Sequence, residues 1–249
     1  MGLYEHLAPV YDRIFPVNAA TLAFIEGLGR EHLPGKRLLD LGSATGGHAL
    51  ALFERGWKVR GIELSPELLA LARRKQEERG TKVEFIEGDM RDLGRHIGAA
   101  SVDLVLCLGN TLPHLGSLEE VRGFLEATRR SLAKDGMLLL QIVNFGLAGA
   151  GHVFPVSLAE DYRFERSYQA MDGARLAFDT RLDLGEKGSF SDRTGLLPLE
   201  PAIAERALRE AGYTIEGRFA DWNRSPFDPA ASPYLILLAA NPIPDEPRS

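Results

Sequence analysis

The segment 38–47, LLDLGSATGG, is an apolar run that ends in an acid and continues into a glycine-rich turn. This pattern predicts a buried strand, a tight turn at Gly42, Ser43 and Gly46, and the start of a helix. In parallel sheets such a turn often binds a cofactor. Asp40 would repel a pyrophosphate. It therefore favours a ligand that presents an ammonium or a sulfonium group at the end of the strand.

Acidic residues also follow the next two predicted strands. The strand at 58–64 ends in Glu63 and Leu64, and a carboxylate there can accept hydrogen bonds from both hydroxyls of a ribose. Asp89 and Met90 follow the third strand and can contact the amino group and the face of an adenine ring. Asp89 can also be the N-cap of a short helical turn, so two roles are open for it.

A fourth candidate region, LGNTLPHL, follows the fourth predicted strand. Gly109 lets the backbone approach a reacting group closely. Asn110 can present its amide carbonyl to the N–H or O–H of a nucleophile. His114 is a candidate proton acceptor, because imidazole titrates near neutral pH. An isolated histidine after a proline is more often structural, so that role is open too.

The elements that must position these residues alternate regularly. Apolar segments and helical segments follow one another over residues 36–144, which predicts right-handed crossovers and a doubly wound, parallel α/β sheet. The carboxyl ends of parallel strands share one edge of the sheet, so the candidate residues should lie together. The predicted strands are 36–41, 58–64, 82–87, 102–108 and 137–143, and the helices between them are 46–55, 65–80 and 117–132.

The pattern changes on both sides of this core. Alternating segments joined by turn residues such as Asp172-Gly173 predict an antiparallel β insertion after the fifth strand. We expect one domain over residues 1–249, with an N-terminal helical cap at 1–35, a cofactor-binding core at 36–144, the insertion at 150–199, and a closing part at 200–241. Within these parts we predict helices at 3–15, 19–33 and 201–211, and strands at 162–171, 175–184, 189–197, 213–219 and 234–240.

Composition narrows the class of protein. The chain has 249 residues and a formal net charge of −6, which disfavours a nucleic-acid partner. Cys107, the single cysteine, cannot form an intramolecular disulfide and is expected to be buried. No signal peptide, membrane span or metal-ligand spacing is recognised, so we expect a cytoplasmic protein without a metal or a membrane partner.

In combination, the motifs LDLGSATGG, IELS, EGDM and VLCLGN resemble those of the class I S-adenosylmethionine-dependent methyltransferases over nearly the whole chain. The turn CLGNTLPHL is similar to that of the glycine and glycine/sarcosine N-methyltransferases. The resemblance implies a seven-stranded sheet of order 3-2-1-4-5-7-6 with an antiparallel last strand. It also implies that S-adenosylmethionine is the cofactor, that Leu108 and Asn110 line the active site, and that Tyr11 or Tyr4 closes over the cofactor.

One departure bears on the methyl acceptor. In the glycine enzymes an arginine after the fifth strand binds the substrate carboxylate, but the segment 141–145 here, QIVNF, contains none. Glycine itself is therefore disfavoured as a substrate. Arg175, Arg181 and Arg193 of the insertion are candidates to replace it, although the sequence does not show which way they point.

We therefore expect methyl transfer from S-adenosylmethionine to a small-molecule amine or hydroxyl, with S-adenosylhomocysteine as the product and proximity as the main catalytic effect. The alternatives are an NAD-dependent oxidoreductase and an inactive adenosylmethionine-binding module. A nucleic-acid methyltransferase fits poorly, because the turn after the fourth strand lacks the expected Asn/Asp-Pro-Pro-aromatic motif. The insertion at 150–199 is either a lid or the contact of a homodimer.

Overall fold

The computed structural model describes residues 3–173 and 175–242. These residues form eight α-helices and eleven strands. The helices are α1 (Leu3–Leu7), α2 (Tyr11–Ile14), α3 (Ala19–Glu31), α4 (Gly47–Phe53), α5 (Pro66–Arg79), α6 (Leu93–His96), α7 (Leu118–Ser131) and α8 (Pro201–Glu210). The strands are β1 (Arg37–Leu41), β2 (Lys58–Glu63), β3 (Glu84–Glu87), β4 (Val102–Cys107), β5 (Leu132–Val143), β6 (Ser157–Ala159), β7 (Tyr162–Ala170), β8 (Leu176–Asp183), β9 (Ser189–Leu196), β10 (Thr214–Phe219) and β11 (Tyr234–Ala240).

The central sheet has seven strands in the order β3-β2-β1-β4-β5-β11-β10. The pairs from β3 to β5 are parallel, and β11 is antiparallel to both β5 and β10. This confirms the predicted order 3-2-1-4-5-7-6 with a reversed last strand. The carboxyl ends of β1 to β4 therefore meet at one edge, as the sequence predicted.

Apolar cores on both faces hold the sheet in place. On β1, Leu39 and Leu41 belong to the core under α6, α7 and α8, whereas Leu38 belongs to the core under α3, α4 and α5. Cys107 is fully buried at the end of β4. Strands covered on both faces read as continuous apolar runs, which is why the first and fourth strands could be recognised in the sequence.

The insertion after β5 is a separate antiparallel sheet of four strands, β6-β7-β8-β9. The prediction of an antiparallel insertion is confirmed, but the short strand β6 was missed because its three residues show no alternation of their own. Alternate residues of β7 face inward, and Tyr162 and Phe164 pack with Leu3 and Leu7 of the N-terminal cap. The insertion and the cap thus share an apolar core.

The first predicted helix, 3–15, is wrong as a single element. The chain instead forms α1, a 3₁₀ turn at Ala8–Val10 and α2. Pro9 lies in that 3₁₀ turn, and proline lacks the N–H that a continuous α-helix needs at this position. The segment consequently bends and brings Tyr11 toward the central sheet.

Candidate active site

Asp40, at the carboxyl end of β1, is a buried carboxyl group with only 6% of its surface exposed. Among the described residues no hydrogen-bond donor is found for its side chain. Burial and, to a smaller extent, the neighbouring charge of Glu63 together raise the pKa of Asp40 to about 7. An unpaired carboxylate in such a buried place is unfavourable. A cationic ligand beside Asp40 would stabilise its ionised form.

The turn after Asp40 is held in a single conformation. Gly42 has a φ of +71° and Gly46 a φ of +73°, a region that favours glycine. A Cβ atom on Gly42 would lie 2.8 Å from a methyl carbon of Thr111, and one on Gly46 would lie 2.5 Å from the Phe85 ring. Ser43 is buried and its hydroxyl has no hydrogen-bond partner among the described residues. The turn thus presents an unused polar group beside Asp40.

Glu63, at the end of β2, fixes this turn from the neighbouring strand. Its two carboxylate oxygens accept hydrogen bonds from the backbone N–H groups of Ala44 and Ser65, each at 2.8 Å. Burial raises the pKa of Glu63, and these backbone donors lower it in part. Each oxygen keeps a further lone pair for a ligand hydroxyl. Leu64 beside it is 63% exposed and offers an apolar contact at the same edge.

Asp89, after β3, is the N-cap of the 3₁₀ turn at Met90–Asp92. Its carboxylate accepts from the backbone N–H of Arg91 at 2.9 Å and also binds the Arg91 guanidinium. This pairing lowers the pKa of Asp89. The capping role considered from the sequence is therefore present, and the predicted contact with an adenine amino group stays a prediction. Met90 is half-buried against the core below.

Asn110 lies in the predicted turn after β4 and contacts two neighbouring strands. Its amide carbonyl accepts from the backbone N–H of Val143 at 2.9 Å, and its amide nitrogen donates to the Tyr168 hydroxyl at 3.1 Å. The side chain therefore ties together β4, β5 and β7. The predicted contact of this carbonyl with the N–H or O–H of a nucleophile stays a prediction.

The backbone of the same turn is close to the strand ends. Gly109 and Asn110 have φ values of +66° and +64°. The N–H of Gly109 donates to the side-chain carbonyl of Gln141 at 3.1 Å. These contacts place Leu108 and Gly109 at the edge of the sheet, next to the turn that follows β1.

The N-terminal cap covers this edge. Asp12 accepts hydrogen bonds from the Thr45 hydroxyl and, at 2.7 Å, from the Lys75 ammonium group. Burial raises the pKa of the Tyr11 hydroxyl, and the nearby charges of Glu63 and Asp40 contribute to the increase. The cap is thus bonded to the glycine-rich turn and carries Tyr11 toward the two carboxylates.

The inner face of the insertion forms the opposite wall. His114 lies with its ring centroid 6.5 Å from that of Phe178. Burial lowers the pKa of His114, and the charge of Asp192 offsets this in part. Asp192 also contributes to the raised pKa of Tyr4, although Tyr4 is 43% exposed. We call the region that His114, Asp192 and Tyr4 line, between the cap, the turn after β4 and the insertion, the cleft.

Sequence reasoning missed the roles of Asp12, Tyr168 and Asp192 in this cleft. Each comes from outside the core motifs, and only the folded chain brings it to the strand ends. The signal for Tyr168 was the period-two alternation in 162–170, which places every second residue on the covered face. The structure thus brings the candidate residues of all four strand ends to one edge and adds a wall from the insertion.

Comparisons with known proteins agree with this arrangement. Residues 38–136 match the family model described as "Methyltransferase domain". The glycine/sarcosine N-methyltransferase of Aphanothece halophytica is 28% identical over 209 residues, which cover 81% of this chain and 74% of that protein. A crystal structure of an S-adenosylmethionine-dependent methyltransferase from Clostridium acetobutylicum superposes with a TM-score of 0.81 at 17% identity, over 95% and 98% of the two chains.

A second solved structure holds the cofactor. The S-adenosylmethionine-bound amino pentose methyltransferase CalS10 from Micromonospora echinaspora has a TM-score of 0.69 and 22% identity, over 97% of this chain and 99% of its own. Sequence motifs, strand order and these matches together place the chain in the class I S-adenosylmethionine-dependent methyltransferases.

Two further properties of the described residues bear on the class of enzyme. No helix in the ranges 3–173 and 175–242 combines the length and the apolar character of a membrane span. Within the same ranges, no three His, Cys, Asp or Glu side chains are grouped so that they could hold a metal ion.

Proposed function

We propose that this protein transfers the methyl group of S-adenosylmethionine to the nitrogen or oxygen of a small molecule and forms S-adenosylhomocysteine. The observation that carries the proposal is Asp40, a buried carboxyl without a protein donor beside the glycine-rich turn. The amino group of the cofactor is a cation that would satisfy it. A pyrophosphate in the same place would be repelled, which argues against an NAD-dependent oxidoreductase.

The remaining candidate residues fit the other parts of the cofactor. Glu63 keeps lone pairs for two ribose hydroxyls while its backbone donors hold it in place. The exposed Leu64 and the half-buried Met90 offer apolar contacts to an adenine ring, and Asp89 lies beside them. When bound, the cofactor supplies a methyl group that is already activated by a sulfonium charge.

The protein's own task is then to align the acceptor and to exclude water. Leu108 and Gly109 form the edge of the cleft at which the acceptor would approach, and Asn110 holds this turn through Val143 and Tyr168. Tyr11 and the cap cover the cleft on the side of the carboxylates. Alignment by fixed groups supplies most of the rate increase that such a transfer requires.

His114 is the candidate to accept a proton from the acceptor. Because burial lowers its pKa, the imidazole is neutral at physiological pH and keeps a free lone pair. The charge of Asp192 would stabilise the imidazolium once it forms. An amine that is already neutral needs less help of this kind than an alcohol does.

Relatives support an amine as the first acceptor class to test. A glycine/sarcosine N-methyltransferase and an amino pentose methyltransferase are both similar to this chain. The experiment is a screen in which the formation of S-adenosylhomocysteine is measured with pools of small amines, then of alcohols and phenols. The proposal predicts product with at least one pool.

Variants make the screen specific for the site. Asp40→Asn and Glu63→Gln should each lower kcat/KM for the cofactor by about tenfold to a hundredfold, the value of a lost charge-assisted contact. Glu216→Gln is the matched control, since Glu216 is an exposed carboxylate on β10, away from the cleft. Binding of S-adenosylhomocysteine without turnover of any pool would instead indicate the inactive binding module.

A further inference from the structure

Arg166 is a charged residue on the covered face of the insertion. Along β7 the residues Tyr162, Phe164 and Tyr168 alternate with exposed or half-exposed polar ones and pack inward. Arg166 occupies the same alternating position, between Phe164 and Tyr168. An arginine at an apolar position of a strand needs an explanation, because burying its charge is costly.

The surroundings of Arg166 are aromatic. Its guanidinium carbon lies 5.0 Å from the ring centroid of Phe154, 5.3 Å from that of Phe15 and 5.8 Å from that of Phe164. Its Nε is buried and has no hydrogen-bond acceptor. In the described ranges no carboxylate forms an ion pair with it. The ring faces attract the guanidinium charge, but they leave its N–H donors unused.

Other arginines of the insertion are already engaged or lie elsewhere. Arg193 pairs with Asp179 at 2.6 Å, and Arg175 donates to the carbonyl of Gly195 at 2.6 Å. Arg181 is exposed on the opposite face of the sheet, since its cross-strand partner Glu165 alternates with Arg166. The three arginines suggested by the sequence as substitutes for the missing one are therefore less suitable than Arg166.

Arg166 adjoins the cleft on two sides. Two residues further along β7, Tyr168 accepts from Asn110 in the turn after β4. On the other side Phe15 packs against Tyr11 of the cap, with tilted rings whose centroids are 4.9 Å apart. The guanidinium thus lies between the element that covers the carboxylates and the element that fixes the turn at the acceptor side.

We infer that Arg166 binds an anionic group of the methyl acceptor, a carboxylate or a phosphate. That the anion belongs to a methyl acceptor rests on the proposed function. That Arg166 binds an anion at all rests on its unpaired N–H donors. A planar guanidinium forms two parallel hydrogen bonds with either group. The acceptor class is then a small amine or alcohol that carries an acidic group, and β7 provides the cation that the segment after β5 lacks.

The direct test uses the arginine reagent phenylglyoxal on the wild-type protein with saturating S-adenosylhomocysteine. Modification of Arg166 and Arg181 is followed by peptide mass spectrometry, alone and with acetate, its neutral isostere acetamide, or inorganic phosphate. We expect saturating acetate or phosphate to slow the modification of Arg166 by about tenfold or more, while acetamide has no effect and Arg181 reacts equally in every sample.

The samples with acetate and with phosphate distinguish the two anions, and the binding of S-adenosylhomocysteine tests the proposed function separately. Protection by acetate alone indicates a carboxylate, and protection by phosphate alone indicates a phosphorylated acceptor. An Arg166 that does not react, or that reacts equally with and without both anions, overturns the inference. If S-adenosylhomocysteine does not bind, the proposed function fails, and the same protection test on the cofactor-free protein still decides the anion site.

Variants distinguish binding from a structural role. Arg166→Met keeps the packing volume and should not lower the midpoint of thermal unfolding, because an unpaired buried charge is removed. It should raise KM for an anionic acceptor by about tenfold or more. Arg166→Lys should recover part of that affinity, whereas Arg181→Met should behave as wild type. A loss of thermal stability in Arg166→Met with unchanged KM would show that the residue only stacks on its neighbours.

Discussion

At the residue scale, the cleft contains side chains that are poorly satisfied by the protein. Among the described residues, Asp40 has no hydrogen-bond donor, and the Ser43 hydroxyl and the Arg166 Nε have no partner. Buried polar groups are normally hydrogen-bonded. Asp40 and Ser43 lie at the end of β1, and Arg166 lies on the insertion beside the cleft, which fits a site that is completed by ligands. The folded protein without ligand is correspondingly less stable than its apolar cores alone would make it.

Asp40→Asn should therefore stabilise the protein while it weakens cofactor binding. The folded pKa of Asp40, about 7, lies above the unfolded value near 3.9. The folded state binds the extra proton between these values, so the contribution of this group to stability falls as the pH rises from 4 to 7. At pH 8 we expect the variant to gain roughly 2–4 kcal/mol in urea unfolding, because a pKa difference of about three units corresponds to about 4 kcal/mol. Equal stability at pH 8 would contradict the burial of a charged Asp40.

Cofactor binding should also release protons. If the bound ligand requires an ionised Asp40, binding at pH 7 lowers its pKa and expels about half a proton from this group. The heat of binding S-adenosylhomocysteine should then depend on the ionisation enthalpy of the buffer at pH 7 and less so at pH 9. The affinity should fall about fivefold from pH 7 to pH 6, as the ionised fraction of Asp40 falls. A heat that does not depend on the buffer at pH 7 would count against this role.

At the element scale, strands place the carboxylates and other segments close the cleft. Asp12 helps to attach the N-terminal cap, because it bonds to Thr45 in the glycine-rich turn and to Lys75 on α5. Asn110 helps to attach the turn after β4 to β5 and β7. Each contribution comes from a single side chain outside the central sheet, so each can be tested by one substitution.

Removing the carboxylate in Asp12→Ala should loosen the cap. The variant loses two hydrogen bonds, one of them to a charged group, worth about 1.5–3 kcal/mol. We expect trypsin to cleave after Arg13 about tenfold or more faster, and S-adenosylhomocysteine to slow this cleavage in the wild-type protein. Glu5→Gln, an exposed substitution in α1, serves as the control. Equal cleavage of all three proteins would show that Asp12 does not hold the cap.

At the scale of the whole molecule, the strands and their ends could be predicted because β1 and β4 are continuous apolar runs with turn residues behind them. The order of the strands in the sheet followed only from the resemblance to the methyltransferases. The acids at these ends, Asp40 and Glu63, could be identified for the same reason. The break at Pro9 could be anticipated only by giving one proline more weight than the surrounding helical pattern. The partners of Asn110 and the position of Arg166 could not be predicted, because they depend on how the insertion packs on the core.

The insertion also bears on the state of assembly. Its inner face packs on the cap, as the shared core of Tyr162, Phe164 and Leu7 shows. Its outer face, by contrast, exposes the apolar side chains of Val153 and Leu158, so it is the packing of the inner face on the cap that favours the lid. Of the two roles left open for residues 150–199, we expect the lid. Light scattering at micromolar concentration should give a mass near the 27.3 kDa of one chain, and a mass twice as large that persists at high salt would favour the dimer.

The most direct measurement is a calorimetric titration of the purified protein with S-adenosylhomocysteine, run beside an identical titration with NAD. Asp40, Glu63 and the glycine-rich turn predict binding of the first with a Kd in the micromolar range, about −8 kcal/mol, and no heat from the second. Binding of NAD without binding of S-adenosylhomocysteine would contradict the assignment of the buried carboxylate to a cationic ligand.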